Sequence, residues 1–354
     1  MTKKPKPAMP AFPRKPPTAA KPPVKPTDSE PPTPLKLDSP ERPVTFAVID
    51  ELGELPTDSV PGSQRLAGAM VVRVAARTET GRVRKNNEDA FTVVDLAKGE
   101  PVSATGDAAA EITSEAGVLA VVSDGMGGVA AGEVASAIVI ETLLEHAPAT
   151  AKDAAEGLRI AVEHANEAVT RAAEERGANG MGATVVAVVF RAGAAWTAEV
   201  GDSRIYVVRN GALTRLTHDQ TQAQMLVDRG VVTEQAAARS AAKNILLQAC
   251  GIVPTLVVAQ QRVALCRGDR FLLCSDGLTT HVPDDAIADI LSSTSVSASE
   301  TADALVRLAL DGGGRDNVTV IVADVDGPSL RSADEVPIAA GQTIRAFALA
   351  EDPP

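Results

Sequence analysis

Several acids in this chain share a setting that chemistry could use. Asp124 ends the apolar run of "VVSDG", Asp202 follows another in "EVGDSR", Asp276 a third in "LLCSDGL", and Asp316 lies beside a glycine cluster in "GGGRDNVT". "NNEDAF" adds Glu88 and Asp89 immediately before a strand-like run. Taken singly, each is turn chemistry, because Asp-Gly is a common turn pair. Gathered at one end of a layered fold, the same carboxylates would repel one another unless cations lay between them. Oxygen donors without histidine or thiolate select Mg²⁺ or Mn²⁺ over Zn²⁺. The four histidines (His146, His164, His218, His281) have no metal-ligand spacing, and His146 and His164 fall on helical patterns. Upstream, "GRVRKNNEDAF" carries Arg82 and Arg84. Arg84 is the better placed of the two to present its planar fork to an oxyanion near such cations.

The stretch "VVSDGMGGVAAGE" allows a rival reading, since Gly125, Gly127 and Ala130 fit the dinucleotide-binding fingerprint. That unit needs a second strand after its helix. Here "TLLEHAPATAKDAAEG" contains none, and Asp124 would repel a pyrophosphate. The glycines are therefore expected to let the backbone turn tightly beside Asp124.

The elements that must position these acids follow from periodicity. Strands are predicted at 70–76, 90–96, 117–123, 182–191, 194–200, 204–210, 212–217, 255–263, 270–275 and 317–325, and Asn210-Gly211 marks a two-residue hairpin. Amphipathic helices are predicted at 131–147, 151–177, 284–292 and 299–311, with a polar, helical excursion at 219–250. Residues 97–115 read as an inserted loop, and 344–350 as an ambiguous apolar patch in a peripheral tail. Antiparallel runs of strands with helices in pairs predict an α+β layered sandwich, not a doubly wound parallel sheet.

Composition narrows the function classes. The first 43 residues hold 14 of the 24 prolines and nine Lys/Arg against four acids, and read as a disordered, polyproline-like basic arm. The rest carries 25 basic and 42 acidic residues, a net −17, which excludes nucleic acid as a main partner. Three cysteines (Cys250, Cys266, Cys274) are too few for a disulfide framework, so a reduced, cytoplasmic setting is expected. No apolar run is long enough to span a bilayer.

"GRVRKNNEDAF", "VVSDGMGGVAAGEVAS", "GMGATVVAVVF", "VGDSRIYVVRNGALTRLTHDQT", "LLCSDGLTTHV" and "GGGRDNVTVIVADV", in this order, resemble the successive motifs of the bacterial metal-dependent Ser/Thr protein phosphatases (PPM, or type 2C). The resemblance runs from about Val71 to Val325. It implies a four-layer αββα sandwich, two antiparallel sheets flanked by pairs of helices. The expected organisation is a disordered Pro-rich arm (1–68), a phosphatase domain (69–326, flap about 219–250) and a tail (327–354). It also implies hydrolysis of phosphoserine and phosphothreonine by a water activated on two Mn²⁺ or Mg²⁺ ions, with a third, weaker ion. By resemblance Asp124 bridges the two ions, the Gly125 carbonyl binds one, and Asp276 and Asp316 ligate the second. Asp89 with Glu88 holds metal-bound waters, Asp202 serves the third ion, and Arg84 binds phosphate. The implied partners are phosphorylated proteins, among them a Hanks-type Ser/Thr kinase and its substrates, and the implied state is a monomer. Some eukaryotic members carry a histidine after the Asp-Gly pair. This chain has Met126 there, so the general acid stays unassigned.

Overall fold

A strand buried on both faces reads as an unbroken apolar run, and the central strands of this chain read that way. The structure, a computed structural model, describes residues 46–50, 70–128, 131–146, 154–293, 295–335 and 342–349. In chain order the elements are β1 (Phe46–Asp50), β2 (Val71–Glu79), β3 (Asp89–Asp95), β4 (Glu100–Pro101), β5 (Ala110–Thr113), β6 (Val118–Met126), α1 (Ala131–Glu145), α2 (Ala154–Arg176), β7 (Gly182–Ala183), β8 (Val185–Arg191) and β9 (Ala194–Val200). They continue with β10 (Arg204–Arg209), β11 (Ala212–Arg215), α3 (Gln222–Asp228), α4 (Glu234–Ala237), β12 (Gln260–Ala264), β13 (Cys266–Arg267), β14 (Asp269–Cys274), α5 (Asp276–Thr279), α6 (Asp284–Leu291), α7 (Ala298–Asp311), β15 (Val318–Asp326), β16 (Arg331–Ser332) and β17 (Gln342–Leu349).

Among the described residues the strands form two large antiparallel sheets. One runs β1-β17-β12-β9-β8-β6-β3-β4, with β7 also on β6; the other runs β11-β10-β14-β15-β2-β5. Alternation along the strands sets the layers. Val118, Ala120 and Val122 of β6 meet Phe271 and Leu273 of β14 and Ile321 and Ala323 of β15 between the sheets. Leu119 and Val121 point the other way, against Val139 and Leu143 of α1 and Leu158 and Val162 of α2. Leu272 and Cys274 of β14 and Val320 and Val322 of β15 face Ile287 of α6 and Leu305 of α7. The order is helix, sheet, sheet, helix: the αββα sandwich expected. Among the described residues, Phe190 and Phe271 meet edge to face between the sheets at 5.0 Å. Burying a side chain of this size contributes about 1.5–3 kcal/mol. A capping box, Ser297 with Glu300, starts α7.

Several expectations are corrected. The stretch 97–115 is not only a loop: β4 and β5 lie within it, and β5 lies beside β2 at a sheet edge, where Ile112 is its one buried residue. The run 182–191 breaks at Thr184, and the strand expected from 255 starts at Gln260. The hairpin holds, with Asn210 and Gly211 both at positive φ. Within the arm expected up to residue 68, Phe46–Asp50 is a strand. Within the tail expected from 327, Gln342–Leu349 pairs with both β1 and β12. The Pro-rich stretch 1–43 lies outside the described residues.

Candidate active site

Asp89 opens β3 and lies opposite Asp124 in the antiparallel β3–β6 register. The break at Thr184 matters here: the Asp124 amide donates to Thr184 Oγ1 at 3.0 Å, and Ser123 Oγ donates to the Thr184 carbonyl at 2.7 Å. Gly125 is needed for a close approach rather than a turn. A Cβ there would lie 2.0 Å from the Gly132 carbonyl oxygen and 2.7 Å from that of Glu88. The first turn of α1 can therefore rest on β6, with Ser136 Oγ donating to the Glu88 carbonyl at 2.6 Å.

The second sheet supplies the facing acids. Asp276 is the first residue of α5, immediately after β14, and Asp316 just precedes β15. Ser275 joins the two sheets: its Oγ donates to Asp89 Oδ2 at 2.7 Å and accepts from the Thr319 amide at 3.0 Å. Buried Asn317 ties the arginine loop to the Asp316 turn. Its Oδ1 accepts from the Glu88 amide at 2.8 Å, and its Nδ2 donates to the Thr80 and Asn86 carbonyls at 2.9 Å. Arg84 Nη2 donates to Asp316 Oδ2 at 2.7 Å, and its Nη1 lies 3.8 Å from Glu88 Oε2. Asp202 occupies the turn between β9 and β10, where its charge is felt at Asp124.

The electrostatics are those of carboxylates held against their mutual repulsion. Burial pushes Asp89 up to about 7, and the charges of Asp276 and Asp316 add to this against the hydrogen bond from Ser275. Burial raises Asp124 well above the usual carboxylate range, and the Asp89, Asp276, Asp202 and Asp316 charges raise it further. Asp276 is raised by burial and by the Asp316 charge, against the influence of neighbouring Asp124. Asp202 is raised well above normal by burial and then by Asp276 and Asp219. Burial also raises Glu88, against the Arg84 charge. The hydrogen bond to Asp316 raises Arg84, so the guanidinium stays charged.

Among the described residues no three carboxylate, histidine or thiol groups enclose a single point as the side chains lie. The donor set nevertheless fits hard divalent cations. It is all oxygen, its members disfavour one another's ionisation, and Asp89 Oδ1 is buried without a hydrogen-bond partner. The histidines have other company: His218 Nε2 lies 2.9 Å from Asp228 Oδ2, His281 Nδ1 3.2 Å from the Gly277 carbonyl, and the His146 and His164 rings meet at 4.4 Å. All three cysteines are buried, and burial raises Cys250 and Cys274 to about 12, so these two stay protonated thiols. Sequence reasoning missed Thr184, Ser203, Ser275, Asn317 and Thr319. A signal existed for three of them, because Ser203, Ser275 and Asn317 are each the immediate neighbour of one of the acids.

A cavity of about 520 Å³ adjoins Asp202 and Asp276 and extends under the 219–250 segment, with Arg204, Arg215, Asp219 and Lys243 in its wall. The two antiparallel sheets bring acids and a guanidinium together, a layout without the parallel strand-helix-strand unit of dinucleotide binding. The family model described as protein phosphatase 2C matches residues 103–310, a range that holds Asp124, Asp202 and Asp276. The serine/threonine protein phosphatase PstP of Mycobacterium tuberculosis is 39% identical over 261 residues, 72% of this chain and 45% of that protein, so the match spans less than half the length of that relative. The serine/threonine phosphatase stp of Listeria welshimeri is 35% identical over 254 residues, 70% of this chain and 94% of its own length. A crystal structure of the catalytic domain of PstP in complex with two manganese ions superposes with a TM-score of 0.61 at 37% identity, covering 73% of this chain and 99% of that one. The chain belongs to the protein phosphatase 2C family of serine/threonine protein phosphatases, in its bacterial branch. Among the described residues no helix is long and apolar enough to cross a membrane.

Proposed function

We propose that this chain hydrolyses phosphoserine and phosphothreonine in proteins with the help of two Mn²⁺ or Mg²⁺ ions. The reading rests above all on Asp89, Asp124 and Asp276, three acids from two sheets whose charges oppose one another's ionisation around an unpartnered carboxylate oxygen. Asp124, Asp276, Asp316 and the Gly125 carbonyl would hold the two ions, Glu88 and Asp89 would orient their waters, and Asp202 would serve a third, weaker ion. Bound divalent cations supply a water acidic enough to attack phosphorus near neutral pH and positive charge beside the phosphoryl oxygens.

The chain's own residues do the rest. Arg84, exposed and joined to Asp316 by one hydrogen bond, can turn its fork to a phosphoryl group and stabilise the charge that develops there. Thr184 holds Asp124 within its own sheet, and Ser275 holds Asp89 from the other sheet, which fixes the two neighbouring acids in place. The cavity beside Asp276 has room for residues flanking the phosphorylated one. Met126 has no proton to give, so protonation of the leaving alkoxide falls to water. On this reading the enzyme is cytoplasmic and monomeric and opposes a Ser/Thr protein kinase, with its phosphatase domain near residues 69–326 and a flap near 219–250; the acidic composition and the buried free cysteines agree with a reduced compartment.

The deciding measurement is hydrolysis of p-nitrophenyl phosphate and of phosphothreonine peptides with Mn²⁺ and with EDTA. Activity that needs Mn²⁺ and is lost in Asp124→Ala supports the proposal; a folded wild type with no Mn²⁺-dependent turnover sinks it.

A further inference from the structure

The residues on both sides of Asp202 are held by one adjacent pair at the base of the flap, Asp219 and Gln220. The Gly201 amide donates to Gln220 Oε1 at 2.7 Å, and the Gly201 carbonyl accepts from the Gln220 amide at 2.9 Å. Two residues beyond Asp202, Arg204 closes its fork on Asp219, with Nε to Oδ1 at 2.8 Å and Nη2 to Oδ2 at 2.6 Å. Arg204 Nη1 donates to the Tyr206 hydroxyl at 3.0 Å, and that hydroxyl donates to Asp284 Oδ1 on α6 at 2.9 Å.

The far stem of the flap meets the same residue. Gln248 Nε2 donates to Gln220 Oε1 at 2.9 Å, and the Leu247 amide donates to the Gln220 carbonyl at 2.8 Å. Gln220 is 0% exposed and Gln248 2%, so these bonds have no water to replace them. Contacts also run inward from the turn. The Ser203 and Thr184 hydroxyls are bonded at 2.8 Å, and Thr184 Oγ1 accepts from the Asp124 amide at 3.0 Å. A Cβ on Gly201 would lie 2.7 Å from Thr184 Cγ2, so the turn is seated on Thr184 without slack.

We propose that Asp219 and Gln220 are positioning residues that make the two flap stems and the Asp202 turn one mechanical unit. A protein substrate pressing on the flap then sets the placement of Asp202 and, through Ser203 and Thr184, of Asp124. The identity of that substrate rests on the phosphatase reading; the coupling does not.

The test is hydrogen exchange of the full chain without metal, read by mass spectrometry over 199–205, 217–222 and 245–250, for wild type and Gln220→Met. All three segments are expected to exchange at least about tenfold faster together, the effect of losing the two buried hydrogen bonds that Gln220 Oε1 accepts, while β14 and β15 keep their rates. Acceleration confined to 217–222 and 245–250, with 199–205 unchanged, overturns the proposal. Should Gln220→Met not fold, Asp219→Ala, at a residue lining the cavity, carries the same comparison. In turnover, the Mn²⁺ concentration for half-maximal activity is expected to rise about tenfold with KM for p-nitrophenyl phosphate unchanged; a change in KM alone assigns the pair to substrate contact and also overturns it. A wild type without Mn²⁺-dependent turnover defeats the phosphatase reading and leaves the exchange result to decide the coupling.

Discussion

Asp89 and Asp124 lie directly opposite each other on neighbouring antiparallel strands, and Ser275 of the other sheet holds one Asp89 oxygen at 2.7 Å while the second has no partner. Like charges placed opposite one another on a sheet destabilise it. The arrangement is therefore poised for an outside cation.

Replacing one of these acids should separate stability from activity. Asp124→Asn or Asp276→Asn removes a repelling charge at nearly constant shape. The metal-free melting temperature is expected to rise, by about 2–4 °C for each 1 kcal/mol relieved. Turnover with Mn²⁺ is expected to fall by at least about 10²–10³-fold, the scale of losing one preorganised electrostatic contact. Thermal melts and phosphatase assays on the same preparations check both.

Cation binding should stabilise the fold. At 100 times its Kd, Mn²⁺ adds about 2.7 kcal/mol, or roughly 5–10 °C for a domain of this size. EDTA should reverse the shift, and Asp276→Asn should shrink it. Melts with and without Mn²⁺ that coincide would contradict the prediction.

Arg84→Ala should act mainly on KM. A hydrogen bond to a charged group contributes about 1.5–3 kcal/mol, so kcat/KM for a phosphopeptide is expected to fall about 10- to 100-fold with kcat less affected. Stability should barely change, because the side chain is 47% exposed and its ion pair with Asp316 is screened.

Glu199 gives a pH dependence whose sign follows from its burial. Burial raises its carboxyl well above the usual range, and the Asp219 charge raises it further, while the His218 amide donates to Oε1 at 2.9 Å. The folded chain therefore keeps a proton that the unfolded chain has lost. That contribution is complete below the unfolded pKa of about 4.3 and is lost as pH rises through the higher folded value. Glu199→Gln is neutral at every pH. Its urea midpoint, measured without metal, should gain on wild type steadily as pH is raised from acid to mildly alkaline buffer.

The layers and the acids were legible in the sequence for physical reasons. β6 and β15 are covered on both faces along most of their length and are mainly apolar there, and Asp124, Asp276 and Asp316 break or border such runs. Edge strands carry no such demand. β5 buries only Ile112, so its residues read as a loop, and β17 pairs with β12 and β1, both far from it in sequence, so no local pattern announces it. The supporting contacts depend on register between distant segments. Ser275 and Asp89 are 186 positions apart, and no local pattern pairs them. The glycines of "SDGMGG" announced a turn, whereas Gly125 serves the packing of α1 on β6, which needs the tertiary structure to be seen.

The bond from Arg84 to Asp316 spans 232 positions, and the acids between them come from both sheets. No fragment shorter than that span contains the whole site. During synthesis, the early strands can pair while the chain still lacks the turn that carries Asp316. Contacts this far apart in sequence also form slowly, because each closes a long loop. The site is thus complete only with the last strands of the sandwich, and on the proposed role of Asp316 a chain cut short anywhere before residue 316 is expected to show no turnover however well its first half has folded.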